Sequence, residues 1–234
     1  MRGLILLVLL GAAFAVGWQQ FNKWVAANPE KVPWTPLALS HPIGTFTARK
    51  LSALADDTSQ CLFLLETANI AHTPLPPLEA DNCGYSNAVT LNDGGAISPA
   101  LIPADPGLAC PVAAALVLWE REIIRPAAAR HFGRDVVAID HYGTYSCRNI
   151  DGGSNRSEHS TANAIDIAGF RLADGNRITV AADWTREGPK AAFLREIRDG
   201  ACKLFGTTLS PDYNAAHADH FHLDQARRGA SFCR

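Results

Sequence analysis

The longest apolar stretch stands at the amino end. Arg2 is followed by Gly3 through Gly17 without a charge, and the next charged residue is Lys23. A short positive start before an apolar run predicts export, as a secretory signal or as an uncleaved signal-anchor entering the inner membrane through residues 3–21. Ala13-Phe14-Ala15 has the small-x-small form of a cleavage site but lies inside the run, which favours the anchor. Trp18, Trp24 and Trp34 would then form an interfacial belt. The rest of the chain is expected to face the periplasm; a soluble periplasmic or secreted protein is the alternative.

Beyond this segment (residues 1–25), Pro29, Pro33, Pro36 and Pro42 break helical patterns, so residues 26–42 read as a linker to a domain over 43–234. Within the domain, Thr45 to Asp57 predicts a first helix, and the proline-rich stretch 73–111 reads as loops. Val112 to Phe132 has helical spacing, with Leu116, Trp119, Ile123 and Ala127 on one face, an end at Gly133 and a kink or split at Pro126. Val136 to Ile139 predicts a short strand. Ile165–Phe170 and Arg177–Ala181 predict a hairpin joined by Leu172-Ala173-Asp174-Gly175-Asn176. Pro189 opens another helix, with Phe193, Ile197, Ala201 and Leu204 as its core stripe, and Phe221 to Leu223 is a last strand. The expected class is α+β, a small antiparallel sheet flanked by helices behind an N-terminal apolar anchor helix.

The 234 residues are 47% hydrophobic and 19% charged, enough for one well-buried core. A net charge of −2 and a scarcity of lysine leave no basic footprint, so nucleic acid is excluded as a partner. The six cysteines are widely spaced, with no CxxC pair. In an exported chain this even count predicts up to three disulfides, whose pairing stays open.

Chemistry concentrates in two polar segments, Ser157 to Ile167 and His217 to Asp224. On a strand, His220 and His222 point to one face while Phe221 enters the core, and Asp166 between Ile165 and Ile167 likewise leaves the apolar face. A carboxylate so placed needs a partner, and a zinc ion with nitrogen and oxygen ligands supplies one. Three protein ligands leave a fourth position for a water, whose pKa zinc lowers to about 7. A nearby histidine or carboxylate must then move the proton. His41, His72, His131 and His141 read as surface or internally satisfied histidines, with His141 the one to revisit. HExxH, GxSxG and Walker-type signatures are absent.

Ser157-x-His159-x6-Asp166 with Asp219-His220-x-His222 resembles the zinc peptidases that group lysostaphin-type endopeptidases, D-Ala-D-Ala carboxypeptidases and the hedgehog signalling domain. More closely, Gly143-Thr144-Tyr145-Ser146-Cys147-Arg148, Ser157-Glu158-His159, Ala164 to Phe170 and His217 to Asp224 resemble the bacterial extensin-like C-terminal domain family. The resemblance implies zinc on His159, Asp166 and His222. It implies His220 as base or transition-state stabiliser, with Asp219, where some relatives have Glu, orienting it or sharing the proton transfer. An arginine upstream of the first zinc histidine would hold a substrate carboxylate, and Arg148 and Arg156 compete for that role. Asp224 reads as a strand-end residue rather than a support for the metal. The implied function is a zinc peptidase acting on peptidoglycan stem peptides; the alternative is an envelope binding module that keeps zinc without turnover.

Overall fold

The computed structural model describes residues 1–95, 99–150, 153–228 and 230–234. Helix α1 (Arg2–Ala27) is a single apolar helix with no buried residue. At 1.5 Å per residue it is about 39 Å long, more than the roughly 30 Å of a bilayer's hydrocarbon core. It is compatible with a membrane anchor or a signal sequence. Phe14, Trp18, Phe21 and Trp24 form a ladder along it, with ring centroids 6.0–6.5 Å apart.

The segment after α1 does not hang free. Val32 and Leu39 are buried, Lys50 Nζ donates to the Pro29 carbonyl at 3.0 Å, and Arg121 donates to the carbonyls of Leu39 and His41. Within 26–42 the prolines leave room for only a one-turn 3-10 helix, Pro29–Lys31, and the segment lies as a strap on the domain.

Helices α2 (Thr47–Ala53) and α3 (Thr58–Thr67) follow, the second capped by Asp57, whose Oδ1 accepts from Gln60 N at 2.9 Å. Most of the stretch read as loops is instead short strands: β1 (Ile70–Pro74), β2 (Leu78–Ala80), β3 (Cys83–Tyr85), β4 (Ala88–Gly95), β5 (Ala100–Ile102) and β6 (Leu108–Ala109). Residues 96–98 of that stretch lie outside the described residues. The prolines end or separate the strands, where no ladder donor is required of them.

The helix expected over 112–132 is split. Helix α4 (Cys110–Trp119) runs into a wide π-turn at Glu120–Ile124 and then α5 (Arg125–Phe132). Pro126 lacks the N–H that would bond the preceding turn and clashes with the carbonyl there, so the helix opens just before it. Gly133, at φ 60°, closes α5 in the left-handed conformation. Every residue of α4 is buried, so its expected single apolar face is replaced by contact all round. Ala113, Ala114 and Ala115 leave room for neighbours on the remaining sides.

The remaining elements are β7 (Val136–Gly143), β8 (Ala164–Leu172), β9 (Arg177–Thr179), α6 (Val180–Asp183), α7 (Pro189–Ala201), β10 (Thr207–Leu209), β11 (Phe221–Asp224) and β12 (Phe232–Cys233). Among the described residues the main sheet has seven strands, ordered β12-β10-β11-β8-β7-β5, with β9 paired to β8. Its centre is antiparallel, while the β10–β12 and β5–β7 pairs are parallel. The fold is therefore α+β. Ile165, Ile167 and Phe170 of β8 and Phe221 and Leu223 of β11 enter the core. Trp119 anchors that core edge-on to Phe170 and Phe205, and its indole N–H donates to the Ile197 carbonyl at 2.8 Å.

All six cysteines are paired, as Cys61–Cys110, Cys83–Cys147 and Cys202–Cys233. The second ties β3 to the segment that follows β7.

Candidate metal centre

The centre of the sheet builds the site. In the β8–β11 ladder, His222 stands opposite Asp166, and each lies between core residues of its own strand. The pleat therefore turns both away from the core, toward one another. Gly143, at the end of β7, is the neighbour of Asp166 on the other side. The chain then passes through Thr144 to a 3-10 turn, Glu158–Thr161, which carries His159. Ala162 closes this turn in the left-handed conformation (φ 55°), rare for a residue with a side chain and a mark of local constraint.

Three donor atoms converge there. His159 Nε2 and His222 Nδ1 are 3.1 Å apart, and Asp166 Oδ1 is 3.1 Å from the first and 3.0 Å from the second. The opposite nitrogen of each imidazole is engaged elsewhere. His159 Nδ1–H donates to the Thr144 carbonyl at 2.8 Å, and His222 Nε2–H donates to Asp224 Oδ2 at 3.1 Å. Those partners assign the tautomers and leave lone pairs alone at the centre of the triangle. Three acceptors facing one another inside a protein require a cation or an added proton.

These residues fit a metal. Ligands 2.0–2.1 Å from a tetrahedral ion stand about 3.3 Å apart, close to the separations here. Two imidazoles and a carboxylate suit a first-row divalent ion, and three protein ligands leave a coordination position open. The carbonyl and carboxylate behind the two histidines are the usual outer partners of metal-bound imidazoles. Without the ion, a proton takes its place. Burial alone would lower the His222 pKa, but bonds to Asp166 and Asp224 raise it to about 9. Burial would raise that of Asp166, yet the two histidines hold it far below the carboxylate range.

His220 lies beside the triangle, its Nε2 3.6 Å from Asp166 Oδ1. It precedes β11 rather than lying on it, so strand alternation does not place it. Asp219 does, with Oδ1 accepting from His220 Nδ1–H at 2.8 Å. Tyr142, largely exposed, sets its ring edge-on to His220 at 5.8 Å. Burial and a hydrogen bond to Asp219 raise the pKa of its phenol. His217 completes the wall, its ring 5.2 Å from that of His220 and 6.0 Å from that of His222.

Residues 59–234 match the family described as Extensin-like protein C-terminus. The chain belongs to this family. Every residue of the centre lies inside the extensin-like match, whereas α2 and the strap before it precede the match yet share its core. No curated protein and no solved structure matches the chain.

Within the extensin-like domain, the structure brings together His159, Asp166, His222, His220 and Asp219. It does not bring Arg148 or Arg156 to them. Both are exposed on the arm before His159; Arg156 donates to Asn149 Oδ1 at 3.0 Å, and the Arg148 carbonyl accepts from Ser157 N at 3.1 Å. Asp224 is not a mere strand end: it is 2% exposed and holds His222. Its place two residues beyond His222, on the same face of the strand, was the available signal. The Thr144 carbonyl and Tyr142 carried none. His141 is buried and donates from Nε2 to the Pro103 carbonyl at 2.8 Å, and burial lowers its pKa.

Proposed function

We propose that this extensin-like domain is a zinc-dependent peptidase that acts on peptidoglycan stem peptides, held at the periplasmic face of the inner membrane by α1. The observation that carries the reading is the triangle of three buried lone pairs with a histidine–carboxylate pair at its edge. Zinc, when bound, supplies a Lewis acid for the amide carbonyl and a nucleophile near neutral pH.

The chain's own residues do the rest. His159, Asp166 and His222 hold the ion, and Thr144 and Asp224 fix the two imidazoles so that the donor atoms need no reorganisation. Asp219 keeps a proton on His220 Nδ1, which leaves His220 Nε2 toward the reacting side, where it takes a proton or steadies a developing oxyanion. Tyr142, its ring edge-on to His220, forms one lip of the opening. The periplasmic setting rests on α1 and on the disulfides, which persist in oxidising compartments; the choice of substrate rests on the family resemblance and that setting.

The test is a digest of purified peptidoglycan by the full chain in detergent, loaded with zinc, beside His220→Ala. Muropeptides read by mass spectrometry should show a product from the unmutated protein alone, its mass naming the bond. No product from a protein shown to hold zinc would leave a metal-holding binding module in its place.

A further inference from the structure

A concave site lies apart from the His159–Asp166–His222 triangle. The cleft between α2 and the segment following β11 has a volume of about 730 Å³, the size of small-molecule sites. Arg49, Arg227 and Arg228 line it, with the hydroxyl residues Thr45 and Ser52 and an apolar wall at Phe46. None of the metal-centre residues contributes to it.

Its charge is only partly compensated. Arg227 pairs with Asp56 at 2.6 Å. Arg228 donates from Nε to the neutral Thr207 Oγ1 at 2.9 Å, and Arg49 has no hydrogen-bond or ion-pair partner among the described residues. Two guanidinium groups thus face the same concavity without acidic partners, in a chain whose net charge is −2. Guanidinium forks match the oxygens of phosphate in pairs, and the apolar wall suits the organic part of an ester.

The cleft is a built feature. Ser52 Oγ donates to Gln225 Oε1 at 3.0 Å and joins its two walls, while Gln225 Nε2 donates to the Leu204 carbonyl at 3.0 Å. Gly206 lets the backbone close up, since a Cβ there would stand 2.2 Å from the Ala226 carbonyl oxygen. The cleft also stands near the point where the chain leaves α1. Lys50, next to Arg49 in α2, bonds to the carbonyl of Pro29, two residues beyond the last residue of α1.

We propose that this cleft binds a phosphate ester through Arg49 and Arg228, supplied either by an anionic lipid headgroup at the membrane or by a soluble ester. The lipid source rests on the reading of α1 as an anchor; the cleft itself does not depend on the peptidase reading.

The test uses the full chain in nanodiscs and follows hydrogen exchange in residues 45–56 and 226–234. One arm compares phosphatidylcholine discs with discs containing phosphatidylglycerol. The other adds sn-glycerol 1-phosphate to phosphatidylcholine discs. Protection in the first arm alone names the lipid, and protection in the second names a soluble ester; either supports the site. Where these segments exchange through opening that releases the ligand, a ligand at about ten times its Kd slows exchange about tenfold. Arg49→Gln and Arg228→Gln, made separately, should each remove the protection; Arg49 makes no bond whose loss would disturb the fold. Unchanged exchange in both arms overturns the proposal, as does protection that survives both substitutions, which would mean attraction to a charged surface.

Discussion

Asp224 holds His222 from behind. Its Oδ2 accepts from His222 Nε2–H at 3.1 Å and its Oδ1 from Ala226 N–H at 2.9 Å, so the carboxylate joins the His222 imidazole of the proposed centre to the backbone beyond β11. Loss of such an outer carboxylate costs about 10- to 100-fold in metal affinity. Asp224→Asn should therefore keep the fold and lose zinc affinity by that factor in a competition titration with a chromophoric chelator. Unchanged affinity would remove Asp224 from the centre.

In the proposed centre, a proton and a metal ion would compete for His222. Its pKa in the folded, metal-free protein is about 9, above the ordinary 6.5. A raised pKa stabilises the fold fully below 6.5, and that contribution, on the order of 3 kcal/mol, is lost as pH climbs through 9. Zinc binding runs the other way, gaining about tenfold per pH unit across the same window as the proton leaves. Calorimetry in buffers of different ionisation enthalpy should show proton release on zinc binding near neutral pH. A buffer-independent enthalpy with pH-independent affinity would contradict this.

Two corners of the triangle were legible because they break an apolar pattern, and His159 came only from the family resemblance. Asp166 between Ile165 and Ile167, and His222 between Phe221 and Leu223, are polar positions of period 2 in strands that otherwise enter the core. The partners of those residues were not legible, because a backbone carbonyl such as that of Thr144 has no side-chain signature. Strands β1, β2 and β5 were hidden by the prolines at or beside their ends, and the all-round burial of α4 by its alanines, which fit any environment. His220 stands beside the triangle through its bond to Asp219, not through the strand alternation that the sequence suggested.

Helix α7 meets the π-turn closely. A Cβ on Gly200 would stand 2.3 Å from Ile123 Cγ2, and Gly200 is buried. Gly200→Ala should destabilise the fold by about 1–3 kcal/mol through overpacking, read as a shift in a urea transition with its slope unchanged. A midpoint equal to that of the unmutated chain would show that Ile123 yields without strain.

The Cys83–Cys147 bridge spans 64 residues and holds the segment leading to His159 against β3, where Tyr145 also packs edge-on to Tyr85. Replacing both cysteines by serine removes a loop-closure constraint worth about 4 kcal/mol in the chain-entropy model. The double variant should unfold at lower denaturant and bind zinc more weakly. Equal stability and equal zinc affinity would make the bridge incidental to the centre.

The central claim is that His159, Asp166 and His222 form a metal centre. Its most direct measurement is the zinc content of the purified full chain after exhaustive dialysis, by elemental mass spectrometry, beside His222→Ala with its fold checked by circular dichroism. The account predicts one zinc per chain in the unmutated protein and loss of it in the folded variant. A zinc-free unmutated protein that takes up none on addition, or a variant that retains zinc equally, would contradict it.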